Sequence, residues 1–405
     1  MNKYYKLTNL LLLIALVFGS FFVWKDKTSS PTPALKIVTA EGNAEHLKDF
    51  EFYGYLSNNE VYGNDESFHV KENQAKYLAE LPLSKRLDNS LDPLTNELIE
   101  DYRSFMRGKY PSSKNFLSTD DFIVYVAQTT DSYWKETKMN ELVIAVLNKE
   151  TKEEEEFIVP LGNLENYYDL YSSHLNYPKV SLVLSKYTTS DQGKHAIYEF
   201  NIEDPEAGLT EVYDFTEKIA ANESYGVEEV ADRTSRFIPL RTTRDVTNTE
   251  VEMMTELASY FVYDIKENKM IDIPLFETDT LLLTDHETIY VAEDLGSTLN
   301  FYEMNVENEK LEELGEVQLQ SPSMGRIEDI YSYDRSFNPN IIVLDGKLYT
   351  FEQELIKDSF LPVFQIVDLK TQETLFLGRL DRLEDASDRN ISIGVTNYRL
   401  NKLKN

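Results

Sequence analysis

The side chains able to do chemistry in this chain are carboxylates, hydroxyls and five histidines, because it has no cysteine. That absence removes disulfides, thiolate metal sites, a cysteine nucleophile and a lipid-modified cysteine anchor. The histidines, His46, His69, His174, His195 and His286, include no pair at the H-x-x-x-H spacing that sets two imidazoles on one helix face. His69 and His286 fall where turns are expected and read as turn residues. Asp88, Ser90 and Asp92 imitate the first ligands of an EF-hand loop, but Pro93 stands where glycine is needed and Ile99 where a bidentate carboxylate is needed. No metal and no cofactor is expected.

Nucleophile and phosphate motifs are missing as well. There is no G-x-S-x-G and no glycine-rich phosphate loop, and 15 glycines in 405 residues leave few places for backbone to approach a phosphate. What remains for catalysis is a set of carboxylates, Asp120, Asp121, Asp285 and Asp345, at or near strand starts in different parts of the chain. Facing one another across a channel, such groups could cleave glycans by general acid and nucleophile. Seventy-one acidic residues make such a set expected by chance, so no catalytic, cofactor-binding or metal residue is assigned and the binding residues stay open.

The elements that would position these groups repeat. In Ser259 to Phe276, SYFVYDIKENKMIDIPLF, alternating Tyr260, Val262 and Asp264 oppose Phe261, Tyr263 and Ile265, and a polar turn leads into a second apolar run. That is the period-2 signature of a hairpin. Related units start at Ser67, Leu142, Ile197, Phe301 and Phe364. In the better copies a further apolar pair precedes the hairpin, as in Ile341 to Leu344 and Lys347 to Phe351 around Asp345-Gly346, a strong short-range hairpin signal. Each unit reads as four antiparallel strands.

Four strands repeated about six times resembles a β-propeller, in which each sheet covers the next and closing the ring removes exposed edges. The resemblance spans roughly residues 36–400 and is generic, without the Trp-Asp dipeptide or paired glycines of better-defined repeats. It implies an all-β ring of six blades, or seven if the stretch from Asn390 to Leu400 opens another, with a β-sandwich as the alternative fold. Leu35 to Ala40 and that C-terminal stretch are the candidates for closing the ring.

Residues 7–24 carry no charge and lie between Lys3, Lys6 and Lys25. As a helix they reach roughly 27 Å, enough to cross a bilayer core. The apolar run is long, ends in Phe21-Phe22-Val23-Trp24 and lacks a nearby small-residue cleavage site, so residues 1–27 read as a cytoplasmic tip and uncleaved signal anchor. A cleaved, secreted form is the alternative. Residues 28–35 form a Ser/Thr/Pro stalk and 36–405 the extracytoplasmic domain. Removing the four Lys and one Asp of residues 1–30 leaves 36 basic and 70 acidic groups, a net of −34. Such a surface repels nucleic acid, and neither nucleic acid nor nucleotide is expected as a partner.

Three interruptions stand out. Asp92, Pro93, Leu94, Leu98, Tyr102, Phe105, Met106 and Gly108 spell one amphipathic helix with start and stop signals, expected on the rim of the ring. TKEEEE at 151–156 reads as a solvated turn, and 216–234 as a long polar insertion, partly helical. The first functional expectation is a membrane-tethered binding, accessory or sensor module for an envelope partner or exported ligand. The second is a surface hydrolase acting on glycans or peptides through carboxylates at the channel.

Overall fold

The computed structural model describes residues 35–48, 50–58, 66–71, 74–77, 93–130, 140–162, 166–188, 191–228, 230, 233–247, 253–319, 341–356, 359–382 and 391–400, with 13, 16–18 and 20. Over these residues twenty-five strands form six antiparallel sheets, the blades of a six-bladed β-propeller. After β1 (Leu35–Gly42), blade 1 takes β2 (Phe50–Asn58), β3 (Glu66–Lys71) and β4 (Gln74–Tyr77). Blade 2 is β5 (Phe116–Ser118), β6 (Phe122–Thr130), β7 (Asn140–Asn148) and β8 (Glu154–Gly162). Blade 3 is β9 (Asn166–Asn176), β10 (Lys179–Thr188), β11 (Asp191–Asn201) and β12 (Leu209–Asp214). Blade 4 is β13 (Glu223–Val227), β14 (Phe237–Thr247), β15 (Met253–Asp264) and β16 (Lys269–Ile273). Blade 5 is β17 (Asp279–Asp285), β18 (Thr288–Asp294), β19 (Thr298–Asn305) and β20 (Lys310–Gln318). Blade 6 is β21 (Ile341–Leu344), β22 (Lys347–Ile356), β23 (Ser359–Asp368) and β24 (Thr374–Arg382), and β25 (Ile391–Leu400) follows.

Both chain ends close the ring. β25 pairs with β2 from Phe50↔Leu400 to Asn58↔Ile391 and supplies the first strand of blade 1, so no seventh blade begins there. β1 adds a fifth strand to blade 6 along β24, from Leu35↔Arg382 to Gly42↔Phe376. Gly42 is required at the end of that pairing: its φ is +74°, and a Cβ there would stand 2.1 Å from Leu375 O. β25 also lies against β23 and β1 against β4, so strands from both ends bridge blades 6 and 1.

The core sits between blades, where alternate residues of facing strands meet. Val124, Ile144 and Val146 pack on Leu182, Leu184 and Phe200 at the joint of blades 2 and 3, and Val262, Ile271, Val291 and Met304 meet at that of 4 and 5. Leu35, Phe68 and Val70 pack on Phe364, Phe376 and Leu380 where blade 6 meets blade 1. Fully burying one such side chain is worth about 1.5–3 kcal/mol, so each joint is held mainly by burial that one blade alone cannot achieve.

The joint of blades 1 and 2 is different. α1 (Pro93–Asp101) and α2 (Arg103–Met106) bury Leu98, Phe105 and Met106 against Phe116, Ile123, Tyr125 and Leu147 of blade 2, while α1 lies against β2 and β25 of blade 1. The expected single helix on the rim is thus two segments, broken where Tyr102 leaves helical geometry (φ −131°, ψ 46°), and they lean on both blades. Gly108 follows them with φ +82° as the stop signal required. The 216–234 insertion holds a short 3₁₀ turn, Thr216–Lys218, and β13 rather than further helix, because Tyr225 and Val227 are needed for the core between blades 3 and 4.

Most of residues 7–24, residues 28–34 of the stalk and Asp92 lie outside the described residues, while Leu35, expected at the end of the stalk, is already paired in β1. Of the apolar segment, Leu13, Leu16, Val17, Phe18 and Ser20 are helical and exposed. No helix among the described residues is long and apolar enough to cross a membrane.

Candidate functional site on the turn face

One face of the ring carries two series of turns. The turn after the third strand of a blade explains the sequence repeat: its leading Asn or Asp accepts hydrogen bonds from backbone N–H groups just ahead of it. Asn148 Oδ1 accepts from Glu150 and Thr151 at 2.9 and 3.0 Å, Asn305 Oδ1 from Glu307 and Asn308 at 3.1 and 3.3 Å, and Asp368 Oδ1 from Lys370 and Thr371 at 3.0 and 2.8 Å. These are Asx turns, favoured because a short side-chain acceptor closes the turn locally. Four residues on, Lys152, Asn268, Glu309 and Gln372 all have φ between 50° and 63°. The turn after Asn201 departs from the pattern by inserting the 3₁₀ segment Pro205–Ala207. His69 departs altogether. It lies inside β3 opposite Lys76, not in a turn, and its Nε2 is 2.5 Å from Oε1 of buried Glu51.

The turns between the first and second strands lie closer to the axis and connect blades. Asp345 and Gly346 have φ 54° and 67°, the doubly left-handed two-residue turn that Asp-Gly favours. Gly346 N donates to Asp285 Oδ2 at 2.9 Å, tying blade 6 to the matching turn of blade 5. There Asp285, His286 and Asp345 converge, with ligand-type atoms within 4.8 Å of one another. His286 Nε2 is 3.8 Å from Asp285 Oδ1 and 3.5 Å from Asp345 Oδ1. Asp285 is buried, whereas His286 and Asp345 are exposed.

Blade 4 ties in from the other side. Arg236 N donates to His286 O at 2.9 Å, and its guanidinium grips fully buried Asp264 through Nε at 2.8 Å and Nη2 at 2.5 Å, with Nη1 reaching Glu287 at 3.2 Å. The Asp264 hydrogen bond is the main reason the Arg236 pKa is raised. From the same connection Arg233 donates to the carbonyls of Ser113, Lys114 and Phe116 at 2.6–2.7 Å, while its own carbonyl accepts from Leu175 N. A chord of backbone and guanidinium therefore runs from blade 4 past blade 3 to blade 2 on this face.

Of the four carboxylates singled out in the sequence, Asp285 and Asp345 come together, and His286 joins them. Asp120 and Asp121 occupy the equivalent turn of blade 2, exposed and outside that cluster. Asp88, Ser90 and Asp92 fall outside the described residues. His46 is half-buried in the 3₁₀ segment Ala44–Leu47, and His174 is buried in β9 with Nε2 3.1 Å from Ser172 Oγ. His195 Nδ1 is 2.7 Å from Ser185 Oγ, the contact of a nucleophile with its base. Ser185 is fully buried, however, and shares its hydroxyl with Tyr225 at 2.5 Å, while Tyr187, Phe215 and Tyr225 pack around the imidazole. Burial pushes the His195 pKa down and the Tyr225 phenol far up. The pair joins blades 3 and 4 and meets no solvent through Ser185.

At the joint of blades 2 and 3 the same face opens into a cleft of about 680 Å³ lined by Glu155, Glu156, Phe157, Tyr177, Ile202, Glu203 and Pro205. Tyr177 stacks on Phe122 with ring centroids 4.1 Å apart, which fixes one wall. Three carboxylates thus stand around an apolar and aromatic floor.

No family model matches the sequence, and no curated protein matches it. Among solved structures, TolB from Acinetobacter baumannii is similar over 92% of this chain and 70% of its own, at 11% identity and a TM-score of 0.31. The β-propeller domain of the Trilobed protease from Pyrococcus furiosus is similar over 67% of this chain and 70% of its own, at 13% identity and 0.33. An acylaminoacyl peptidase from Pyrococcus horikoshii matches over 62% of this chain and 44% of its own, at 11% identity and 0.32. Likenesses this distant carry no argument about activity or partner, and the fold rests on the sheets described above.

The sequence groups Asp285 and Asp345 with Asp120 and Asp121 as channel carboxylates but neither singles out this pair nor adds His286 to it, because their meeting depends on which turns the ring brings side by side. The cleft was likewise missed. Its one sequence signal, the TKEEEE run, reads as a solvated turn until Tyr177 and Glu203 are set beside it.

Proposed function

We propose that the chain is a membrane-tethered, extracytoplasmic propeller acting as a binding module, an accessory or sensor subunit that holds an envelope protein or an exported ligand. The cleft between blades 2 and 3 carries this reading. Glu155, Glu156 and Glu203 around Phe157, Tyr177, Ile202 and Pro205 suit a segment that presents Lys or Arg beside an apolar side chain. Exposed ion pairs contribute little each, so the carboxylates steer and select while apolar burial supplies most of the affinity. The uncharged stretch from Leu7 to Trp24 supports tethering, with everything beyond it outside the membrane.

A hydrolase at the channel mouth is the second reading, favoured by the closeness of Asp285 and Asp345. A nucleophile and acid pair needs both carboxyls open to substrate. Asp285 is buried and its Oδ2 already holds Gly346, which counts against that reading.

A photo-crosslinking residue placed in the full-length chain in native membranes tests the binding reading. Glu203 in the cleft turn and Glu307 occupy the same place after Asn201 and Asn305, so they form a matched pair. A discrete adduct from position 203, weakened by salt and missing from 307, is expected. Identical adducts from both positions, or none from 203, would overturn the assignment. Recovery of the chain from membranes with its N-terminal residues intact is the matching result for the anchor, and a mature form starting near Leu35 would contradict it.

A further inference from the structure

We infer that Asp285, His286 and Asp345 form a divalent transition-metal site that clamps blade 5 to blade 6 on the turn face. Two observations lead there independently. The first is convergence: two carboxylates and an imidazole from two different hairpins have ligand atoms within 4.8 Å of one another. Ligands about 2.1 Å from a tetrahedral zinc ion stand about 3.4 Å apart. His286 Nε2 is already 3.5 Å from Asp345 Oδ1 and 3.8 Å from Asp285 Oδ1, a few tenths of an ångström from that separation, while the whole set lies within 4.8 Å and the two carboxylates close on the ion by turning their side chains.

The second observation is a buried oxygen without a donor. The Asp285 side chain is only 9% exposed. Its Oδ2 accepts from Gly346 N at 2.9 Å, but its Oδ1 is buried and accepts no hydrogen bond. Buried polar atoms are nearly always paired, and an orphan asks for a ligand. Oδ1 faces the cluster, 3.8 Å from His286 Nε2, and the Gly346 bond to Oδ2 holds the carboxylate there as an outer partner holds a metal ligand. His286 and Asp345 are nearly half exposed, so an ion has a path from solvent and water can complete its shell.

The donor set selects the ion. One imidazole with two carboxylates suits Zn²⁺ or Mn²⁺, whereas Ca²⁺ and Mg²⁺ prefer oxygen throughout. The neighbouring guanidinium of Arg236 is drawn to Asp264 and Glu287, which limits its competition for the two carboxylates.

The test uses the full-length chain in detergent, stripped with a chelator and titrated with ZnCl₂ by calorimetry, with thermal unfolding followed in parallel. One Zn²⁺ per chain is expected, with a rise in unfolding temperature. Asp345→Asn and His286→Ala, both at exposed turn positions that folding tolerates, should each weaken binding by about tenfold or more while keeping the metal-free unfolding temperature. Asp121→Asn, in the equivalent turn of blade 2, should bind as the unaltered chain does. An unaltered chain that shows no saturable binding would overturn the site. So would unchanged binding in both Asp345→Asn and His286→Ala, which would assign the ion to the acidic surface at large, or Ca²⁺ bound as tightly as Zn²⁺.

Discussion

At Asn148, Asn305 and Asp368 the leading side chain of a turn closes on backbone of its own hairpin, whereas at Asp285 and Asp345, on the same face but nearer the axis, the ties run to the next blade. The first kind is self-sufficient and can be repeated unchanged around the ring. The second depends on what the neighbouring blade offers, so each example is different. Groups gather where the repeat is broken: at the two inner turns of blades 5 and 6, at the long connection carrying Arg233 and Arg236, and at the Asn201 turn whose insertion borders the acidic cleft. Regular turns are scaffold and irregular ones are where binding can arise.

Asp264 sharpens this contrast most, because it belongs to a regular turn yet also grips Arg236. Replacing it with Ala leaves a partly buried guanidinium with only exposed Glu287 in place of its buried partner, a loss of about 3 kcal/mol in chemical denaturation. Combining Asp264→Leu with Arg236→Met should recover most of that, since no charge is left stranded. Gly346→Ala comes next. No atom lies within 4 Å of the added Cβ, so the cost is that of a left-handed residue alone, about 1–2 kcal/mol. Asn305→Ala, in a turn that touches no other blade through that side chain's backbone bonds, should cost about 1 kcal/mol. If Asn305→Ala were as damaging as Asp264→Ala, the division between the two kinds of turn would fail.

The smallest effect is in acid. Backbone N–H groups of Thr371 and Lys370 hold the Asp368 pKa below the usual carboxylate value. A carboxyl depressed in the folded state adds stability above its unfolded pKa of about 3.9, and that stability is lost as pH falls through the lower folded value. Asp368→Asn keeps an acceptor without a titrating group, so its stability should change less between pH 5 and pH 2 than that of the unaltered chain.

The fold was legible because the repeat is written in residues that act locally. Alternation in Tyr260 to Ile265, the Asp345-Gly346 dipeptide and the Asn or Asp before each polar turn all specify structure within a few residues, and six such units can hide their apolar faces only against one another. His69 was misread because its hairpin turns after Lys71, leaving the histidine inside a strand opposite Lys76. Interactions that join positions far apart left no such mark. Arg236 N with His286 O, Asp285 with Gly346, and the approach of Glu203 to Glu155 across the cleft follow from the order of blades around the ring, which spacing along the chain does not encode.

The most direct test compares equal charge changes at the cleft and at the regular hairpin of blade 5. Glu155, Glu156 and Glu203 are replaced by Lys in one full-length chain, and Glu307, Glu309 and Glu312 in another, so both lose the same negative charge. Yield of the adduct formed from a photo-crosslinking residue at Pro205 in the cleft is then measured in membranes at fixed salt. At least a tenfold loss is expected for the cleft variant and less than a twofold loss for the other. Equal losses would mean that the overall acidity of the protein, not the cleft between blades 2 and 3, holds the partner.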